Sequence, residues 1–178
     1  MIIDLRLRPI TESFLKSTTD IFPAYGRMFG YELPESVTKR SMKLCCEEMD
    51  EAGIVESVIM GRRTGDAALG SGAVDNCEIK ELMDRYPGRF IGFAGIDPTE
   101  EGALEDIERC REWGFKGVSV EPAWLTPNMY ADDPRLDPVY ERCHSLGMVL
   151  NLTVSAFVGP DISYCDPVHI QHVAQKYP

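Results

Sequence analysis

Histidine is scarce in this chain, three in 178 residues, and that scarcity narrows the chemistry before any motif is read. His144 falls near a predicted helix end. His169 and His172, three apart on another predicted helix, can share a face but have no third ligand nearby in sequence, so they read as solvated helix histidines and not as a metal centre. So few imidazoles give no ground for a Ser-His-Asp or Cys-His arrangement. The six cysteines (Cys45, Cys46, Cys77, Cys110, Cys143, Cys165) contain no Cys-x-x-Cys pair. Several stand beside apolar residues on predicted helices, as reduced buried thiols do, and a reducing cytoplasm is the expected location. Glycine-rich phosphate loops are missing: Gly61-Arg62-Arg63-Thr64-Gly65 and Gly70-Ser71-Gly72 have neither the dinucleotide nor the P-loop spacing. Basic charge is in deficit, with 18 Lys and Arg against 29 Asp and Glu and a net charge of −11. Such a field opposes non-specific binding to nucleic acid or to an anionic membrane. No apolar run approaches the roughly 18 residues that span a bilayer, and no basic segment followed by an apolar one opens the chain, so neither a membrane span nor secretion is expected.

What is present is enough apolar material, 44% of residues, for a single domain over residues 1–178 with an ordinary core. After residue 35 one grammar repeats: a helix with apolar residues three and four apart, a glycine or Pro-Gly stop, a short apolar strand, then a polar loop. The first helix is expected from about Glu35 to Ala52, with Gly53 as its stop, feeding a strand from Val55 to Met60. The second runs from near Asp75 to Tyr86 and feeds Phe90 to Ile96. A third follows Asp97-Pro98-Thr99 with Glu100 and Glu101 in its first turn, where they suit the helix dipole, and feeds Gly117 to Val120. A fourth, about Arg135 to Leu146, feeds Met148 to Thr153. With Ile2 to Arg8 this makes about five βα units, and strands alternating with helices in this way pair in parallel. The last segment, from Asp166-Pro167 to Tyr177-Pro178, is a capped helix whose ending mirrors Tyr86-Pro87, which precedes a strand. The grammar therefore expects another strand. A doubly wound sheet and part of a (β/α)8 barrel both accommodate five parallel strands, and the missing phosphate fingerprints favour the barrel.

Polar residues recur where such folds gather their chemistry, at the C-terminal ends of the strands. In Ile2-Ile3-Asp4-Leu5-Arg6-Leu7-Arg8-Pro9 the alternation puts Ile3, Leu5 and Leu7 on an apolar face, expected to be core, and Asp4, Arg6 and Arg8 on the other. Arg6 and Arg8, always protonated, would hold an anion. Strand two ends in Met60-Gly61-Arg62-Arg63, strand three in Asp97, strand four in Ser119 and Glu121, strand five in Asn151 and Thr153. Strands buried on both faces normally read as continuous apolar runs, so polar residues repeated on one face need a cause, and a small ligand facing them supplies it. Glu121 and Asp97 are the candidate acid/base residues, although Asp97, before Pro98-Thr99-Glu100, also suits a helix cap. Arg6, Arg8, Asn151, Thr153 and the loop residue Trp124, which can wall a pocket above strand four, are the candidate substrate-binding residues.

These residues resemble a known family. The opening strand is similar to the first strand of amidohydrolase-related proteins, the branch with aminocarboxymuconate-semialdehyde and resorcylate decarboxylases. Further matches are Glu47-Glu48-Met49-Asp50-Glu51-Ala52-Gly53-Ile54, Tyr86-Pro87-Gly88-Arg89-Phe90, Gly114-Phe115-Lys116-Gly117-Val118, and Asp166-Pro167 with Tyr177-Pro178. The resemblance implies a (β/α)8 barrel cut just before its sixth strand. It also implies a divalent metal, usually zinc, on two first-strand histidines. Those positions are Arg6 and Arg8 here, and arginine does not serve as a ligand. The strand-five histidine falls near Asn151 or Leu152, and the remaining ligands would lie beyond Pro178. The expected protein is an amidohydrolase-related hydrolase or carbon–carbon lyase, decarboxylase-like, acting on a small carboxylated substrate without the usual zinc. The alternatives are a barrel that binds an anionic metabolite without turnover and an inactive fragment. No nucleic-acid or membrane partner is expected, and assembly into a homo-oligomer stays open.

Overall fold

Apolar runs of period two and capped amphipathic helices alternate along the chain, and the computed structural model, which describes residues 2–18, 26–63, 74–154 and 161–178, builds elements at each. Thr64, Gly65 and Gly70-Ser71-Gly72 lie outside the described residues. The strands are β1 (Ile2–Leu7), β2 (Ile54–Met60), β3 (Phe90–Gly95), β4 (Gly117–Val120) and β5 (Val149–Leu152). The helices are α1 (Glu12–Thr18), α2 (Glu35–Thr38), α3 (Met42–Glu51), α4 (Asn76–Arg85), α5 (Ala103–Glu112), α6 (Asp137–Leu146) and α7 (Pro167–Lys176).

All neighbours in the sheet are parallel and the spatial order is β1-β2-β3-β4-β5. A doubly wound sheet reverses its strand order at a switch point; this one never does, and it curls as part of a (β/α)8 barrel. The core lies between the sheet and its helices, where Ile59, Ile79, Ile107, Phe115 and Val118 are fully buried. Helix ends follow local chemistry: Asp75 caps α4 by accepting from the Cys77 amide at 2.7 Å, and Asp166 caps α7 by accepting from the Val168 amide at 3.0 Å.

Three expectations need correction. The helix anticipated from Glu35 to Ala52 is two, because Ser41 caps a fresh start at Met42 and Ser36 is drawn sideways, its amide and hydroxyl both bound to Glu48. Glu100 and Glu101 stand in a turn ahead of α5, not in its first turn: Gly102 takes φ +87, a conformation open mainly to glycine, and the helix begins only after it. The third correction is the Ile3–Leu5–Leu7 face. Ile3 is 42% and Leu5 72% exposed, so only Leu7 packs on the core. Among the described residues β1 pairs on one side only, with β2, and its register slips between Asp4 and Leu7, which breaks the alternation. Asp4 holds this irregularity by accepting from the Arg6 amide at 3.0 Å.

Candidate active site

The C-terminal ends of β2 and β3 approach so closely that only glycine fits at Gly61 and Gly95. A Cβ on Gly95 would collide with the Arg62 amide nitrogen and the Gly61 carbonyl carbon. Asn76, buried at the start of α4, completes the junction: its Nδ2 donates to the Gly95 carbonyl at 3.0 Å and its Oδ1 accepts from the Gly95 amide at 2.8 Å. Arg62 follows immediately, its backbone paired in both directions with Val74 at 3.0 and 2.8 Å. The Arg62 side chain therefore leaves a rigid base.

It crosses the concave face to Glu121, the residue after β4. Arg62 Nε donates to Glu121 Oε2 at 2.7 Å, with side chains 14% and 4% exposed. Arg6, on β1, reaches the other oxygen, Oε1, at 3.9 Å. In a flat sheet β1 and β4 would stand about 14 Å apart at the usual strand spacing; curvature is what allows one carboxylate to serve both arginines. Arg8 shares this space. Burial pushes its guanidinium down to about 10, Arg6 and Arg62 push the same way, and Glu121 offsets part of the fall. Among the described residues, three guanidinium groups thus face a single carboxylate, a local surplus of positive charge in an acidic protein.

Trp124 ends a single helical turn, Pro122–Trp124, directly after Glu121, and the Arg62 guanidinium lies over its ring at 5.3 Å. The turn is pinned by the Met129 amide donating to the Pro122 carbonyl at 3.0 Å and by Asn128 Nδ2 donating to the Ala123 carbonyl at 2.7 Å. The indole Nε1–H is buried without a hydrogen-bond partner among the described residues. On the next strand, register places Asn151 opposite Ser119, and Asn151 Nδ2 donates to Ser119 Oγ and Thr153 Oγ1, both at 3.2 Å. Ser119 and Thr153 are buried.

Of the residues anticipated from sequence, Arg6, Arg8, Glu121 and Trp124 converge, and Asn151 with Thr153 forms a polar pair at the next strand end. Asp97 is buried but turned into its own loop, where Oδ1 accepts from the Thr99 amide at 2.9 Å and the Thr99 hydroxyl at 2.6 Å. Arg62 is the residue sequence reasoning passed over. Its neighbour Arg63 faces outward to Glu100 at 2.8 Å and Asp106 at 3.0 Å. The Met60-Gly61 strand end was the signal that the first arginine of the pair stays with the sheet. Among the described residues, the guanidinium groups, an amide, hydroxyls and one ion-paired carboxylate that meet here are a donor set that does not fit a zinc ion.

The comparisons agree with this architecture. Over 88 residues, 48% of the chain and 24% of the relative, the sequence is 30% identical to 2-amino-3-carboxymuconate-6-semialdehyde decarboxylase of Dictyostelium discoideum. An uncharacterised TIM-barrel protein of Bordetella bronchiseptica matches with a TM-score of 0.87 and 31% identity, covering 99% of this chain and 63% of that one. The 5-carboxyvanillate decarboxylase of Novosphingobium aromaticivorans, solved with bound manganese and 3-methoxy-4-hydroxy-5-nitrobenzoic acid, shares the fold at a TM-score of 0.61 and 21% identity, over 96% of this chain and 55% of that one. The chain thus spans about a quarter of its curated relative and under two thirds of the Bordetella protein. The family model described as Amidohydrolase matches residues 26–178, and the chain belongs to that family.

Proposed function

We propose that the strand ends form the substrate site of an amidohydrolase-family enzyme, a hydrolase or carbon–carbon lyase, whose substrate is a small molecule carrying two negative charges, such as an aromatic dicarboxylate. The observation that carries this reading is the Arg62–Glu121 pair at 2.7 Å with Arg6 on the second oxygen and Arg8 beside them. A partly buried cation surplus is unfavourable by itself and is relieved by an anion with matching geometry. Guanidinium groups fixed in advance also stabilise negative charge that develops during reaction. Glu121 is the acid/base candidate, Trp124 supplies a wall and an unused N–H donor, and Asn151 with Thr153 contacts the substrate's polar edge. Asp97 shapes the loop after β3 and stays outside the chemistry. The decarboxylase relatives, one with a nitrobenzoic acid bound, support the carboxylated class.

The same reading takes residues 1–178 as the first five βα units of a longer barrel. Val149 on β5 is 58% exposed, and a groove of about 620 Å³ between β5, α6 and α7, lined by Leu150, Ile170, Val173 and Tyr177, is where a further βα unit would pack.

Purified protein, with any sequence that continues past Pro178, should be stabilised by aromatic dicarboxylates more than by monocarboxylates, by about 2.7 kcal/mol at 100 times the dissociation constant. It should release carbon dioxide or hydrolysis product from at least one of them. Both responses should vanish in the Arg6→Ala, Arg8→Ala double variant; equal shifts in the variant and the parent would sink the anion site. Because both Glu121 oxygens face arginines, a binding protein without turnover is the second reading. Stabilisation with no product, in the parent and in Glu121→Gln alike, selects it.

A further inference from the structure

Three side chains outside the strand-end set meet where the loop after β4 docks on α7. Pro167 opens α7, and His169 and His172, three residues apart, lie on one face of it. The loop between β4 and α6 brings Asp132 to that face from 37 and 40 residues away. His169 Nδ1 lies 2.7 Å from Asp132 Oδ1, and His172 Nδ1 lies 2.6 Å from Oδ2. Tyr130 stacks on the His169 ring at 4.4 Å and is stacked in turn by Tyr164 at 4.4 Å. Its hydroxyl meets Ser163 Oγ at 3.1 Å. The imidazole is thereby held in one orientation. His169 and Asp132 are 21% and 25% exposed and His172 is 52% exposed, so the cluster is fixed on one side and open to water on the other.

We propose that Asp132, His169 and His172 form a binding site for a divalent transition-metal ion such as zinc, a site separate from the strand-end arginines. One ligand atom from each residue lies within 4.8 Å of the others. Metal–ligand bonds of about 2.0–2.2 Å put ligand atoms roughly 3–3.5 Å apart around the ion, so the present contacts need open by less than about 1 Å. Two imidazoles and one carboxylate suit zinc, cobalt or nickel; calcium and magnesium ask for more oxygen ligands than one carboxylate supplies. On binding, each imidazole presents Nδ1 and keeps its proton on Nε2, and water takes the open positions. The ion would tie the loop that carries Trp124 to the start of α7, bracing one wall of the rim.

Titration of the protein with zinc chloride by calorimetry, and with cobalt(II) followed by visible absorption, tests this. One equivalent should bind at saturation, and the cobalt spectrum should show nitrogen and oxygen ligation with no thiolate-to-metal band. His172→Gln keeps a hydrogen-bond donor for Asp132 but removes a metal ligand, and it should abolish the saturable isotherm while circular dichroism stays that of the parent. Asp132→Asn with His169→Gln should do the same. An isotherm unchanged in these variants, a thiolate band, or no saturable binding in the parent would overturn the proposal.

Discussion

Arg8→Met removes a charge that the fold holds against its own interest. Burial, with Arg6 and Arg62 adding to it, brings the Arg8 guanidinium from its ordinary range down to about 10. A displacement of that size corresponds to ~3 kcal/mol of unfavourable interaction in the folded state. Solvent reaches part of the side chain, which screens the effect, and methionine replaces most of the buried stem, so a net stabilisation of ~1–2 kcal/mol is expected. For a chain of this length that raises Tm by ~2–8 °C. The folded protein surrenders the Arg8 proton at lower pH than the unfolded chain does, so the penalty is whole below about pH 10 and fades as pH rises further. The stability gap between Arg8→Met and the parent should therefore narrow above pH 10. Urea unfolding of both proteins from neutral pH to above pH 10 measures the gap, and thermal shifts with an aromatic dicarboxylate measure the binding that should be lost with it. A variant less stable than the parent at neutral pH, or a gap that widens with pH, would refute the idea that Arg8 is a strained anion receptor.

Removing Glu121, which is 3% exposed, leaves Arg62 and Arg6 without their counter-charge, so Glu121→Gln should lower the urea-unfolding free energy by about 3 kcal/mol, and a second change, Arg62→Met, should recover most of that. Asn76→Ala orphans the Gly95 amide and carbonyl, and a loss of about 2–4 kcal/mol is expected in the same assay. Native protein treated with a thiol reagent such as Ellman's should react first at exposed Cys77; Cys45 and Cys143, pushed up to about 12 mainly by burial, and Cys110, pushed up to about 11 by burial first, should react only after unfolding, as peptide mapping of the labelled protein would show.

The alternation of helices and strands was legible in the sequence because it is written locally: Asp75 and Asp166 announce helix starts, Gly53 and Gly147 follow helix ends, and short apolar runs mark β2 to β5. The fate of β1 was not. Whether Ile3 and Leu5 are covered depends on what lies beyond β1 in the sheet, and the slip between Asp4 and Leu7, held by the Asp4 carboxylate on the Arg6 amide, leaves the apolar alternation of the sequence looking regular. Glu121 and the arginines could be proposed from strand-end positions, but the choice of Arg62 over Arg63 rests on which one stays attached to the β2–β3 junction. Asp132 lay furthest from reach. Its partners are 37 and 40 residues away, and only the docking of α7 against the β4–α6 loop makes them neighbours.

The Asn76 carboxamide meets the Gly95 backbone as another peptide group would, through one donor and one acceptor. It acts as a strand of a single unit, laid against the point where β2 and β3 press together. The cation that follows is thus mounted on a seam tied by backbone and carboxamide hydrogen bonds, with little backbone freedom left to surrender when an anion arrives. Discrimination among anions then falls to the other side of the cleft, to the turn that carries Trp124, and a change of substrate could be made there without disturbing the seam.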